Sequence, residues 1–267
     1  MSFFSRAGRR IPSTSMRVFG DSPSFYYALK DYQLDLAEIH ERLITFDLVD
    51  GLSLANFQAR TEKLRETIKA DSNFSNLLNG IHIPFAVSLD KGSHDLGEQL
   101  ETELLVKLEG SFKASYPDLH FKAVIQGDVG LKEKISIEDS SRYSDLIDLA
   151  REGTVVGWYF PQALQEFDIQ SQRKQMIDLP NIVGANLCLS GGIDIVSAMT
   201  GFPGLLINDD EYPPVLCLSA YCHQDPRMIL VLKSYGPHLE FWCMTQMLSG
   251  GVTQVSEQWA GGLTIFA

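Results

Sequence analysis

Residues 187–194 read Leu-Cys-Leu-Ser-Gly-Gly-Ile-Asp, an apolar run that empties into Ser190, Gly191 and Gly192. A strand ending this way leaves a hydroxyl and bare backbone amides at a turn that a ligand can approach closely. Two chemistries follow. The amides of Gly191 and Gly192, with Asp194 beside them, are candidates for holding a phosphate; Ser190 is a candidate nucleophile, with Asp209 or Asp210 as acid and His223 or His238 as base. Asp209 and Asp210, followed by Glu211, also form a carboxylate cluster that could take a hard cation together with Asp194, although consecutive acids before Pro213-Pro214 more often make a solvated turn. Cys217, Cys222 and His223 lack the second ligand pair of a structural zinc site. All four cysteines lie in or beside apolar runs and read as buried thiols.

Ser190–Asp194 partly resembles the S-G-G-x-D-S loop of ATP-pyrophosphatase enzymes, in which the loop follows a strand, its amides hold pyrophosphate and a helix begins. The match departs at Ile195, where that family has Ser or Thr, and Gly201-Phe202-Pro203-Gly204 interrupts the following segment too soon for the helix. Cys188–Gly192 resembles the G-x-S-x-G elbow of α/β-hydrolases, with Cys188 in place of the first glycine, where a side chain crowds the tight turn. Only 73 residues follow Asp194, short for the remainder of either domain. Neither pattern completes, so the expectation is a strand-ending turn whose glycines supply positive φ.

The elements that must position this turn are legible by periodicity. Ser22 and Pro23 open a predicted helix with Phe25, Leu29, Tyr32, Leu36, Ile39, Leu43 and Phe46 in one seam; Asp50-Gly51 breaks it. Ser53 caps a second helix through Leu54, Phe57, Leu64 and Ile68, so residues 22–80 are expected to form a helical hairpin. A strand follows at 81–89, pushed to a sheet edge by Pro84. Then come a helix over 95–116 with leucines at spacings of four, a strand at 119–125, a helix capped by Ser140 or Ser141 and stopped by Gly153, and a strand at 154–160. Pro161 is expected to open a helix to about Met176, and 183–189 is the strand that delivers the turn. Short β-rich runs separated by Gly, Pro, Asn and Asp make the last sixty residues an expected antiparallel meander.

The formal net charge of −12 argues against nucleic acid as a partner. Of the 56 Asp, Glu, Lys and Arg residues, 42 fall in 1–153, which leaves 154–267 as the more buried, sheet-rich part. Residues 1–21 carry Arg6, Arg9, Arg10 and Arg17 with no acid before Asp21. That composition predicts a flexible basic arm, and it also fits an organellar transit peptide. No stretch is apolar enough to span a bilayer, and a reducing, cytoplasmic setting is the simplest reading.

The expected class is α+β: an arm, a helical hairpin, and a mixed α/β body over 81–267 ending in an antiparallel β-meander. The expected function is a non-catalytic interaction protein, an adaptor or accessory subunit with a protein partner or a homo-oligomer, with no cofactor. Leu29, Tyr32, Leu36, Ile39 and Leu43 are its expected contact seam. The alternative is a nucleotide-binding or hydrolytic enzyme built on Ser190-Gly191-Gly192.

Overall fold

A computed structural model describes residues 2–13, 18–20, 26–92, 95–126, 130–208, 212–236, 238–245, 248–249, 252–253 and 255–267. In chain order its regular elements are α1 (Leu36–Thr45), α2 (Leu54–Ala70), β1 (Ile83–Val87), α3 (Leu96–Gln99), α4 (Leu105–Ser115), β2 (Phe121–Ile125), β3 (Ile135–Ile137), α5 (Tyr143–Glu152), β4 (Val155–Phe160), α6 (Ile169–Asp178) and β5 (Asn186–Leu189). There follow α7 (Gly192–Gly201), β6 (Val215–Cys217), β7 (Tyr221–His223), β8 (Met228–Tyr235), β9 (His238–Thr245), β10 (Leu248–Ser249), β11 (Val252–Thr253), β12 (Trp259–Gly261) and β13 (Leu263–Phe266). The mixture is α+β, as its patterning predicts.

Two sheets carry the structure. One is four-stranded, in the order β1-β4-β13-β5 with every neighbour antiparallel, and Pro84 sits on its edge strand β1 as expected. The other is five-stranded, in the order β12-β6-β8-β9-β2. Its centre, β6-β8-β9, is the antiparallel meander read from the sequence, but β12 joins β6 and β2 joins β9 in parallel, and β13 leaves for the other sheet.

The helix expected from Ser22 is a correction. Residues 22–25 lie outside the described set, residues 26–35 are not helical, and α1 starts only after Asp35, whose carboxylate accepts from Ala37 N at 2.8 Å and Glu38 N at 3.3 Å. Tertiary contacts hold the preceding stretch out of the helix: Ala28 N donates to Tyr212 O at 3.1 Å, and the Tyr32 hydroxyl lies 3.2–3.3 Å from the carbonyl oxygens of Gly204, Leu205 and Ile207. Nor do α1 and α2 form a separate layer. Helix α1 packs on α7 and β1, while α2 packs on β4, tied there by the Trp158 indole donating to Thr61 O at 3.0 Å.

The helix expected over 95–116 is present, with one π turn at Leu100–Leu104 between α3 and α4. A stripe repeating strictly every four residues outruns 3.6 residues per turn and winds around a helix. The wider i→i+5 turn takes up that excess and keeps Leu100, Leu104, Leu108 and Phe112 buried together. Pro161 opens only a turn; α6 begins later, capped by Asp168, which accepts from Ser171 N at 2.6 Å.

Helix α7 is the centre of the fold. All ten of its residues are buried, and β1, α1 and α4 pack around it. Ser197 donates to Ala86 O at 2.8 Å, and Ser111 of α4 donates to the Thr200 carbonyl at 2.6 Å, while the buried Thr200 hydroxyl has no hydrogen-bond partner among the described residues. Gly201-Phe202-Pro203 therefore ends this helix instead of preventing it.

The amino-terminal arm is also corrected, because residues 2–13 are docked on the body. Phe4 is buried against Phe74, and the Arg10 guanidinium donates to Gln175 Oε1 at 2.9 Å while lying 5.2 Å from the Phe3 ring centre. Arg9 pairs with Glu166 at 3.3 Å, each side chain 6% exposed. The acidic remainder of the chain thus holds its own basic segment. Replacing Arg9 by Met leaves Glu166 buried without that countercharge and should cost about 3–5 kcal/mol, read by urea denaturation, whereas Arg6→Met at an exposed position should stay within about 0.5 kcal/mol.

Candidate functional site

Strand β5 delivers Ser190 and Gly191 directly into the first turn of α7. The unpaired amides of a helix start favour an anion, and here the chain supplies its own. Asp194, three residues into the turn, folds back so that its Oδ1 accepts from Gly191 N at 2.9 Å. The Tyr143 hydroxyl donates to the same oxygen at 2.8 Å and itself accepts from Ile193 N at 2.8 Å. Thr264 of β13 donates to Oδ2. With its proton committed there, Thr264 accepts from Ser190 Oγ at 2.8 Å. Ser190, Asp194 and Thr264 are fully buried.

Electrostatics follow from this enclosure. Burial raises the Asp194 carboxyl above its ordinary value, opposed by the hydrogen bonds from Thr264, Gly191 and Tyr143. Burial, and then the nearby Asp194 charge, push the Tyr143 phenol and the Cys188 thiol well up.

The glycines serve close approach. Gly191 has φ −133°, and neither it nor Gly192 has positive φ, contrary to the expectation from the turn composition. A Cβ on Gly191 would lie 2.7 Å from the Tyr143 ring, one on Gly192 2.6 Å from the Tyr221 ring, and one on Gly262 2.2 Å from the Tyr159 ring. Three tyrosines from three other elements press on bare backbone at this junction.

The other predicted residues scatter. Ser190 Oγ has Thr264 as its hydrogen-bond partner and no histidine among the described residues; His223 Nδ1 accepts from Asp225 N at 3.0 Å, and His238 Nδ1 accepts from His120 N at 3.2 Å. Asp209 and Asp210 lie outside the described residues. Among the described residues, no group of three or more His, Cys, Asp and Glu side chains is placed to hold a metal ion. Cys188, Cys217 and Cys243 are buried free thiols, and burial lifts Cys217 to about 12 and Cys243 to about 11. The seam expected to contact a partner faces inward instead: Leu29, Ile39 and Leu43 are buried, and Tyr32 and Leu36 pack half-buried against the same core. Its apolar stripe covers α7 and β1 of its own chain.

Two surface features arise only on assembly. One is a cleft of about 770 Å³ between residues 28–36, α2, the 78–83 turn and β4, into which His82 and Trp158 open. The other is a cleft of about 470 Å³ on the five-stranded sheet, lined by Val215, Val231, Met244 and Trp259 with Phe19 and Tyr27 at its rim. Sequence hints existed in the isolated His82 beside Pro84 and in the Tyr26-Tyr27 pair, but nothing local joins them to their partners.

No family model, curated protein or solved structure matches the chain. Among the described residues no helix is long and apolar enough to cross a membrane.

The Asp194 network makes a signed prediction. A carboxyl whose folded pKa is raised contributes stability below its unfolded pKa, about 4, and that contribution is lost as pH rises through the folded value. Asp194→Asn keeps an acceptor for Gly191 and Tyr143 and can donate to Thr264. It should fold, and between about pH 4 and pH 7 its urea midpoint should fall less than that of the wild type. Asp194→Leu, which strands those donors, should lose several kcal/mol at every pH.

Proposed function

We propose that this protein acts by binding another protein, as an adaptor or accessory subunit, and that the aromatic face of its five-stranded sheet is the contact surface. One observation carries this reading. Phe19, 51% exposed, lines the sheet-face cleft with Tyr27, and Tyr26 and Tyr212, 57% and 61% exposed, pack against Tyr27 beside it. Tyr26 stacks on Tyr212 at 5.2 Å between ring centres, and Tyr27 packs edge-on against Tyr26 at 5.1 Å. Rings already held by one another lose little freedom on binding, and tyrosines around an apolar pocket are a common composition of interface hot spots. Behind them Ile229, Val231 and Trp259 form a small buried cluster separate from the main core, with Val215, Trp242 and Met244 half-covered against it. The rim is charged: Lys233 lies 3.6 Å from Glu240 and 4.2 Å from the Trp242 ring centre.

The alternative centred on Ser190 has less support, because the hydroxyl and the neighbouring amides are enclosed and engaged with Thr264, Asp194 and Tyr143. Nucleic acid is disfavoured by the net charge of −12.

The test is quantitative co-purification from the native source together with light scattering, on wild type and on a Tyr26→Ala/Tyr212→Ala double variant. Both positions are exposed, so the variant should keep the wild-type melting temperature within about 2 °C. A stoichiometric partner or self-association that is lost in the variant is the expected result. A complex that survives the double substitution, or a wild-type protein that is monomeric and retains no partner, overturns the reading.

A further inference from the structure

The larger cleft lies at a separate place, beside the edge strand β1, and its chemistry is specific enough to name a ligand class. His82 stands in its wall with the ring fixed against Trp158 and Phe160, at 5.0 and 5.8 Å between ring centres. Its Nδ1 meets Gly80 O at 2.7 Å. That bond makes Nδ1 the protonated nitrogen and leaves Nε2 with a lone pair. Nε2 has no hydrogen-bond partner among the described residues and is accessible from the cleft. Burial lowers the pKa of the ring, Gly80 and Asp31 act to raise it and Arg65 to lower it, so both charges lie within electrostatic reach of the imidazole.

Those two charges are available. Asp31 is exposed and makes no hydrogen bond or ion pair among the described residues. Arg65, 46% exposed, has one long contact, 3.8 Å to Glu62, a second carboxylate of the lining. The other arginine of the lining, Arg9, is held by Glu166. Between these polar groups the walls are apolar, with Leu29, Leu78 and Ile81 facing the space. A purely anionic or purely cationic ligand would meet a like charge at Asp31 or at Arg65. A dipolar one meets an opposite charge at each end.

We propose that this cleft binds a small zwitterion bearing an apolar side chain, a free amino acid or a short peptide, with its carboxylate on Arg65, its ammonium on Asp31 and a ligand N–H or O–H donated to His82 Nε2. The volume of about 770 Å³ falls in the range of small-molecule sites and has room for more than one residue.

Titration calorimetry on the full chain tests this with phenylalanine, the dipeptide Phe-Leu, and N-acetyl-Phe-Leu-amide, which carries neither terminal charge. Phenylalanine or Phe-Leu should bind and the blocked peptide should bind at least tenfold more weakly; whichever free ligand is tighter identifies the source. Arg65→Gln and Asp31→Asn should each weaken binding about tenfold, the scale of one charge-assisted hydrogen bond, with Lys69→Gln on the same helix as an unaffected control. As pH is lowered past the ordinary histidine range, affinity should fall once His82, whose pKa burial depresses, takes up a proton and Nε2 ceases to accept. Failure of both free ligands to bind at millimolar concentration, equal binding of the blocked peptide, or wild-type affinity in either charge variant overturns the proposal.

Discussion

Everything central in this fold is arranged around a buried carboxyl group that has no countercharge among the described residues. Asp194 is fully buried, and neutral donors alone stabilise it: the Gly191 amide, the Tyr143 phenol and the Thr264 hydroxyl. Removing an ion from water costs several kcal/mol even after relaxation, so each donor must be present and correctly aimed. That requirement fixes α5 through Tyr143, β13 through Thr264 and the start of α7 through Gly191, and it draws β5 along through Ser190. The site has the make-up of an anion-binding helix start in which the anion is a side chain of the same helix.

Parts of this were legible from one sequence, for local reasons. Helix α2, the leucine-striped helix over 95–116, the strand at 155–160 and the edge position of Pro84 follow from period, caps and proline chemistry. What was not legible depends on partners distant along the chain. The apolar spacing from Phe25 to Tyr32 is as good as that from Leu36 to Phe46, yet Tyr32 and Ala28 are held by carbonyls near 205 and 212, and among the described residues only the second half is helical. The Ser-Gly-Gly turn looks like a ligand cradle because its close neighbours in space, Tyr143, Tyr221 and Tyr159, are invisible in its own segment. Glycine signals both a waiting ligand and a tightly packed ring, and only the assembled structure distinguishes them.

The two clefts were missed for the same reason, since each is lined from several parts of the chain. They share one feature. The non-helical stretch after Tyr26 places Tyr27 at the sheet-face cleft and Leu29, Asp31 and Tyr32 at the other, so a segment that fails to become helix forms part of two walls. An uninterrupted helix over the same residues, with side chains pointing around a cylinder, would not run one backbone past both surfaces.

Strand β13 lies between β4 and β5, in the interior of its sheet, although its residues 263–266 are the last strand of the sequence. It also brings Thr264 to the buried carboxylate. During synthesis, therefore, β4 and β5 are made before the strand that joins them, and Asp194 lacks its Thr264 donor until some seventy further residues have been added. The four-stranded sheet cannot be complete until residue 266 has been made. Until then the nascent chain carries two unpaired inner strand edges, which makes the interval before closure the period of its greatest exposure to chaperones and to aggregation.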